Sequence, residues 1–445
     1  MRFTLPDKIE WVLSTLNAAG YEAYIVGGCV RDLLMGKTPN DYDITTSALP
    51  LQVKECFKNE KIIETGLQHG TITLVIDGEN IEITTYRIDG EYNDNRRPES
   101  VEFSNSIEDD LKRRDFTVNA IAYNLDKGFV DLFSGRNDIE KGVINCVGDA
   151  DKRFGEDALR ILRALRFSSV LGFDISKATS DSIHRNKNLI LNVSVERIWI
   201  EFKKLICGKN AYNVLLEYYD VVGVLIPEML KSVNFEQNTP YHCFDVYKHT
   251  ITAVNNAPYD EIIRLSLFFH DIGKPYVYSE HESGTGHFYG HAKRSEEIVN
   301  TVLTRLKSDN FTKEKVCMFV KYHDRLIDES EKAVKRLLTK LSFDDLRTLL
   351  IIKRCDNLAQ APHVHAERCA HIDRLNAIID KIERDGACLS LRTLNINGND
   401  LKALGFKEGK IIGKILNLAL QSVINEEVAN ERERLLKFAE KFTKE

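Results

Sequence analysis

The sequence predicts an α+β chain in which a mixed α/β head gives way to a long helical remainder. Three observations carry this. In residues 1–145 the apolar side chains come in short bursts, at 23–26, 71–76 and 81–85, rich in β-branched residues and bounded by Gly, Asp or Asn, the pattern of strands. From about Arg153 onward they recur at helical spacing over longer runs, as at 157–167, 195–206, 261–270 and 316–323. The length of 445 residues exceeds one ordinary core, so several domains are expected, with boundaries near 145, 235 and 340.

Composition narrows the class. Hydrophobic residues make up 43% and charged residues 29%, which suits globular domains with sizeable cores and leaves little room for disorder. The start, Met1-Arg2-Phe3-Thr4-Leu5-Pro6-Asp7-Lys8, lacks an apolar signal core, and no uncharged apolar run approaches the roughly 20 residues of a membrane helix. A cytoplasmic protein without membrane contact is expected. Nine cysteines with no C-x-x-C pair argue against a disulfide framework and against a zinc cage. The net charge of −6 advertises no nucleic-acid partner, but Lys112-Arg113-Arg114 and the series Arg160, Arg163, Arg166 are locally basic. Residues 279–290 and 386–398 read as loops in the helical part.

The first chemical signal follows the strand at 23–26. It runs into Gly27-Gly28 and then a helix over residues 30–35 containing Arg31. Glycines at such a turn let backbone amides approach a phosphate, and the helix start and Arg31 add positive charge. Next, Asn40-Asp41-Tyr42-Asp43-Ile44 places two carboxylates two residues apart, on one face if the segment is a strand. Such a pair can hold Mg²⁺ against a triphosphate.

Gly27-Gly28-Cys29-Val30-Arg31-Asp32 together with Asp41-Tyr42-Asp43 resembles the class II tRNA nucleotidyltransferase and bacterial poly(A) polymerase family. The resemblance implies a polymerase-β-like head in which Asp41 and Asp43 are the catalytic metal ligands and Gly28 and Arg31 contact the nucleotide. Glu82 is a possible third carboxylate. Arg113-Arg114-Asp115-Phe116-Thr117-Val118-Asn119-Ala120 resembles the family's second motif, which assigns Arg114 to the phosphates and Asp115 to a ribose hydroxyl.

On the helix expected at 157–167, Asp157, Arg160 and Arg163 lie three apart along one flank. Cytosine and adenine both offer an amino donor beside a ring-nitrogen acceptor, whereas uracil and guanine offer the reverse, so a carboxylate beside a guanidinium selects C and A together. This run also resembles the family's nucleotide-reading motif, which gives Asp157 and Arg160 the base and Arg163 and Arg166 phosphate or nucleotide contacts. The polar stretch 86–98 resembles the family's flexible loop, whose presence disfavours an enzyme adding only cytidines. Ser194-Val195-Glu196-Arg197-Ile198-Trp199-Ile200-Glu201 resembles its helical neck, with Trp199 expected in the core.

A second centre is expected in the helical part. Imidazole plus carboxylate suits Mn²⁺, Mg²⁺, Fe²⁺, Ni²⁺ or Zn²⁺, and Phe269-His270-Asp271-Ile272-Gly273-Lys274-Pro275 closely resembles the signature of HD-domain phosphohydrolases. That resemblance implies a divalent metal such as Mn²⁺, Mg²⁺ or Ni²⁺ on His249, His270, Asp271 and Asp324. His291 and His323 could complete a two-metal site, and Lys274 could hold a phosphate. Residues 394–401 and 405–413 resemble the C-terminal part of bacterial tRNA nucleotidyltransferases, where contacts to tRNA phosphates are expected.

The domains implied are therefore a nucleotidyltransferase head (1–145), a helical neck (146–235), an HD domain (236–340) and a helical, tRNA-binding tail (341–445). The function implied is addition of CCA to tRNA from CTP and ATP with Mg²⁺, plus metal-dependent phosphohydrolysis. An A-adding enzyme or a poly(A) polymerase remains open, as does an HD nucleotide phosphohydrolase with a non-catalytic RNA-binding head. The sequence says nothing about oligomeric state.

Overall fold

The computed structural model describes residues 2–90, 101–282 and 284–442. Contacts divide the chain into two compact units, Met1–Leu230 with Val302–Ser308, and Lys231–Thr301 with Asp309–Glu445.

The first unit is built on strands β1 (Ala23–Val26), β2 (Asp43–Thr46), β3 (Lys61–Ile63), β4 (Thr71–Ile76), β5 (Glu79–Thr85), β6 (Arg87–Asp89), β7 (Val101–Phe103), β8 (Ala122–Asn124) and β9 (Gly128–Val130). Seven of them form one mixed sheet in the order β3-β4-β5-β2-β1-β8-β9. β1, Ala-Tyr-Ile-Val, is buried along its whole length, as a central strand of apolar residues should be. It pairs antiparallel with β2, placing Val26 opposite Asp43, and β2 pairs parallel with β5, placing Asp43 opposite Glu82. The end of β1, the start of β2 and the middle of β5 thus lie side by side in the centre of the sheet. The sheet packs on the helix Asp7–Ala18 through Ile9, Val12, Leu13 and Leu16.

The expected strands at 23–26, 71–76 and 81–85 are present, and the helix expected at 30–35 spans Gly28–Leu34. In the expected loop 86–98, Tyr86 is buried and β6 pairs with β7; residues 91–98 lie outside the described residues. The expectation of a helix at 157–167 needs correction. One helix, Ala150–Glu156, stops at Asp157, which is extended (φ −133°, ψ 102°), and another runs Leu159–Leu171. The Asp157 carboxylate accepts from the Leu159 amide at 3.1 Å, the local side-chain bond by which aspartate interrupts a helix and starts the next. The neck helix Val195–Ile206 matches its expectation, and Trp199 is buried against Phe202. The remainder is not wholly helical, since Val143–Ile144 pairs with Asp174–Ile175.

The second unit is helical apart from a short hairpin, Ser279–Glu280 with Gly286–His287, inside the expected loop. Its main helices are Val246–Asn255, Glu261–Phe269, Asn310–Tyr322, Phe343–Asn357 and His365–Arg384. Asp245, Asp260, Asp309 and Ser342 cap four of these by accepting backbone amide hydrogens. A separate cluster including Leu401, Ile415, Ala419 and Leu435 closes the C-terminal helices. All nine cysteines are unpaired, and no helix among the described residues is long and apolar enough to cross a membrane.

Candidate functional site

In the head, Asp41 lies just before β2, Asp43 opens it, and Glu82 is the register partner of Asp43. Burial raises the Asp43 carboxyl to about 6, and the charges of Asp41 and Glu82 push the same way against the pull of Arg114. Three carboxylates thus crowd one strand edge with a guanidinium beside them. An all-oxygen donor set at which like charges disfavour ionisation suits a hard divalent cation.

Gly27 precedes the helix Gly28–Leu34 at φ +81°, a backbone conformation that favours glycine, and a Cβ there would sit 3.0 Å from an Arg114 guanidinium nitrogen, which would have to shift. At Gly28 a Cβ would meet only an ordinary contact at 3.6 Å with Arg31. The stricter glycine is therefore Gly27. Arg31 is buried and donates to Asp32 and, at 2.7 Å, to Asn119 Oδ1. Arg114 is held by the buried Asp110 at 3.2 Å. Neither Asn119 nor Asp110 stood out as a site residue, because a lone amide or acid beside a basic run carries no chemistry of its own in sequence.

Asp115 is fully engaged. Its Oδ2 accepts from Arg163 Nε at 2.8 Å, and its Oδ1 accepts from the Phe116 amide at 2.8 Å. Burial opposes ionisation, but the charge and hydrogen bond of Arg163, with Arg160 and the Phe116 amide, pull the carboxyl down to about 2. Asp157 accepts from Arg197 on the neck helix at 3.1 Å. Arg160 is buried and donates to Glu156 at 2.7 Å and to the carbonyls of Arg153 and Arg113. Arg166 pairs with Glu201 of the neck at 2.6 Å. The head and neck residues expected to handle a nucleotide are thus gathered in one unit, each held by a partner.

Models of the "Poly A polymerase head domain" match residues 23–145, of domain 2 of tRNA nucleotidyltransferases residues 280–439, and of the "Probable RNA and SrmB- binding site of polymerase A" residues 172–232. The CCA-adding enzyme of Lactiplantibacillus plantarum is 33% identical over 448 residues, covering 96% of this chain and 94% of the relative. That of Latilactobacillus sakei is 33% identical over 433 residues and 96% of each chain. The chain belongs to the CCA-adding enzyme family. It is accordingly a metal-dependent tRNA nucleotidyltransferase with a polymerase-β-like head. The Bacillus stearothermophilus CCA-adding enzyme, solved in complex with CTP, superposes with a TM-score of 0.73 at 28% identity over 99% of this chain and 98% of that one. The Thermotoga maritima CCA-adding enzyme complexed with tRNA shares the fold, with a TM-score of 0.60 at 22% identity over 98% and 95%.

This CCA-adding family member carries a second cluster in its second unit. His249 sits within Val246–Asn255, His270 and Asp271 follow Glu261–Phe269, His291 opens the helix His291–Arg305, and His323 caps Asn310–Tyr322. The Nε2 atoms of His249 and His270 lie 3.2 Å apart and 3.3 and 3.0 Å from Asp271 Oδ2. Those of His291 and His323 also lie 3.2 Å apart, at 3.4 and 3.6 Å from Asp271 Oδ1. Each of the four rings has its Nδ1 on a backbone carbonyl, of Ala359, Leu267, Phe288 and Val320 respectively. That pairing fixes the Nδ1–H tautomer and turns four Nε2 lone pairs toward one carboxylate, the outer-sphere arrangement of metal-binding histidines.

The expected ligand Asp324 is not in this cluster. Its side chain is 65% exposed and lines the cavity over the cluster, 3.9 Å from His291 Nδ1, a nitrogen already bonded to Phe288. Asp356 lies nearer the histidines, 3.0 Å from His249 Nε2 and 3.6 Å from His270 Nε2. The His323-Asp324 doublet follows the helix Asn310–Tyr322, so residue 324 lies beyond the helix end. Asp356 lies one and two turns after Ile352 and Leu349 on the buried face of Phe343–Asn357, and an acid on such a face was the signal to follow. Lys274 Nζ reaches Asp271 Oδ2 and Gln237 Oε1, both at 2.7 Å. A cavity of about 400 Å³ opens over the cluster, lined by Asp271, Lys274, His291, His323, Asp356 and Arg368 among others.

Proposed function

We propose that this chain completes the CCA end of tRNA from CTP and ATP, with Mg²⁺ held by Asp41 and Asp43 and with Glu82 beside them. The observation that carries this is the register that sets Asp43 opposite Glu82 at the start of β2, with Asp41 two residues before it and the Arg114 guanidinium nearby. When bound, the cation activates the terminal hydroxyl of the RNA and steadies the departing pyrophosphate. The protein's own groups do the positioning. The amides at Gly28 with Arg31, Arg114, Arg163 and Arg166 receive the triphosphate, Asp115 accepts a ribose hydroxyl, and Asp157 with Arg160 reads the amino and ring-nitrogen edge shared by C and A. Arg163 orients the Asp115 carboxylate and Arg197 the Asp157 carboxylate, and each carboxylate keeps acceptor capacity for a nucleotide donor.

The test is to supply Mg²⁺, CTP and ATP with tRNA transcripts lacking the whole tail, ending after the first C, and ending after CC, then sequence the products. Completion of all three, abolished by Asp41→Ala, is the expected result. Extension of only the CC-ended transcript would mean an A-adding enzyme, and long A-tails would mean a poly(A) polymerase.

A second reading concerns the histidine cluster. We propose that His249, His270, Asp271 and Asp356 hold one divalent cation such as Mn²⁺, Mg²⁺ or Ni²⁺, that His291 and His323 with Asp271 hold another, and that the site hydrolyses phosphate esters. The convergence of four fixed Nε2 atoms on Asp271 supports it. When bound, the cations supply an activated water. Lys274, clamped by Asp271 and Gln237, is placed to meet the phosphate. Metal analysis of wild type against His270→Ala, with phosphomonoester and cyclic-phosphate hydrolysis measured in parallel, tests this reading; a full metal content in the variant would sink it.

A further inference from the structure

We propose that Phe167 is a positioning residue for the nucleotide, its ring gathering Arg31, Arg163 and Arg166 into one cluster that receives the triphosphate; this rests on reading those arginines as phosphate contacts. The three guanidinium carbons lie 5.3, 5.3 and 4.0 Å from the centroid of this one ring, within the reach of cation–π attraction. They come from separate elements, Arg31 from the helix Gly28–Leu34 and the other two from Leu159–Leu171.

Each guanidinium has a private tether: Arg31 to Asp32 and Asn119, Arg163 to Asp115, Arg166 to Glu201. The ring of Phe167 is common to all three. It is itself fixed, 7% exposed and packed edge-on against Phe116 at 5.8 Å and 79°. Phe116 lies within the basic motif 113–120, so the ring ties the nucleotide-reading helix to that motif.

Three cations in one place repel one another. Burial, with the nearby Arg163 and Arg31 charges, holds the Arg166 guanidinium below its ordinary value despite the pull of Glu201. A carboxylate at the centre would offset that repulsion but would also repel a triphosphate. An aromatic face attracts cations through its quadrupole and carries no net charge to oppose the incoming anion. The ring therefore preorganises the cluster without cancelling it.

The test uses the full-length enzyme with Phe167 replaced by phenylalanines of increasing ring fluorination, which weaken the negative face at nearly constant shape. KM and kcat for CTP and ATP are measured on tRNA, beside Arg163→Ala and Arg166→Ala, with melting temperatures confirming that each protein folds. The expected result is a stepwise rise in KM reaching about tenfold, with kcat little changed. A KM that stays flat across the series, while the arginine variants raise it, overturns the role of the ring alone. If the arginine variants also leave KM unchanged, the phosphate reading fails and the proposal falls with it.

Discussion

At the scale of single residues, the chain separates carboxylates that look alike in sequence by what surrounds them. Asp324 follows the helix Asn310–Tyr322 and comes 3.9 Å from His291 Nδ1, whereas Asp356, inside Phe343–Asn357, lies 3.0 Å from His249 Nε2. Asp356→Ala should therefore remove bound metal from the second unit, whereas Asp324→Ala should retain it; metal analysis of the two purified variants reads the difference. Asp115 makes a prediction about pH. Its carboxyl falls from an ordinary 3.8 to about 2 in the folded state, so its stabilising effect is fully present above about pH 4 and is lost as pH falls toward 2. The shift corresponds to about 2 kcal/mol. Urea unfolding should find Asp115→Asn less stable than wild type by about that amount at pH 7, with the gap closing as pH drops from 4 to 2.

At the scale of elements, two turns matter more than the helices they join. Gly27 carries β1 into its helix at positive φ, with Arg114 pressed against the place where a side chain would go. Gly27→Ala should cost roughly 1–3 kcal/mol of stability and raise KM for nucleotides by displacing Arg114, which thermal unfolding and steady-state kinetics would register. The break at Asp157 is the other. By ending one helix and starting the next, the aspartate leaves the helical flank and is held by Arg197 of the neck. Arg197→Ala should loosen base selection, detectable as more incorporation of UTP or GTP relative to CTP and ATP. Unchanged selectivity would show that Asp157 holds its place without the neck. The periodicity at 157–167 concealed this break because its apolar spacing continues through it, while the competing side-chain bond is a single local contact.

At the scale of the whole molecule, a net charge of −6 coexists with a local arginine cluster, Arg31, Arg163 and Arg166, each anchored by one carboxylate, Asp32, Asp115 or Glu201. Overall charge therefore conceals local phosphate-binding capacity. The transferase residues and the histidine cluster belong to different compact units. His270→Ala should accordingly strip metal from the second unit while leaving CCA addition intact, and Asp41→Ala should do the converse; loss of both activities in either variant would mean that the units depend on each other. The sequence by itself determined the family and the mixed head with a helical remainder, and it placed Asp41 and Asp43 at the start of a strand, because these are written in short contiguous motifs and in hydrophobic periods of about 2 and 3.6 residues. The tertiary structure alone decided that Asp356 lies against His249 and His270, that Asn119 holds Arg31, and that Arg31 joins Arg163 and Arg166 at the ring of Phe167. Those pairings join residues up to 136 positions apart, as Arg31 does with Phe167. Long-range contacts of this kind are set by how helices and strands pack, and no local pattern in the chain encodes them.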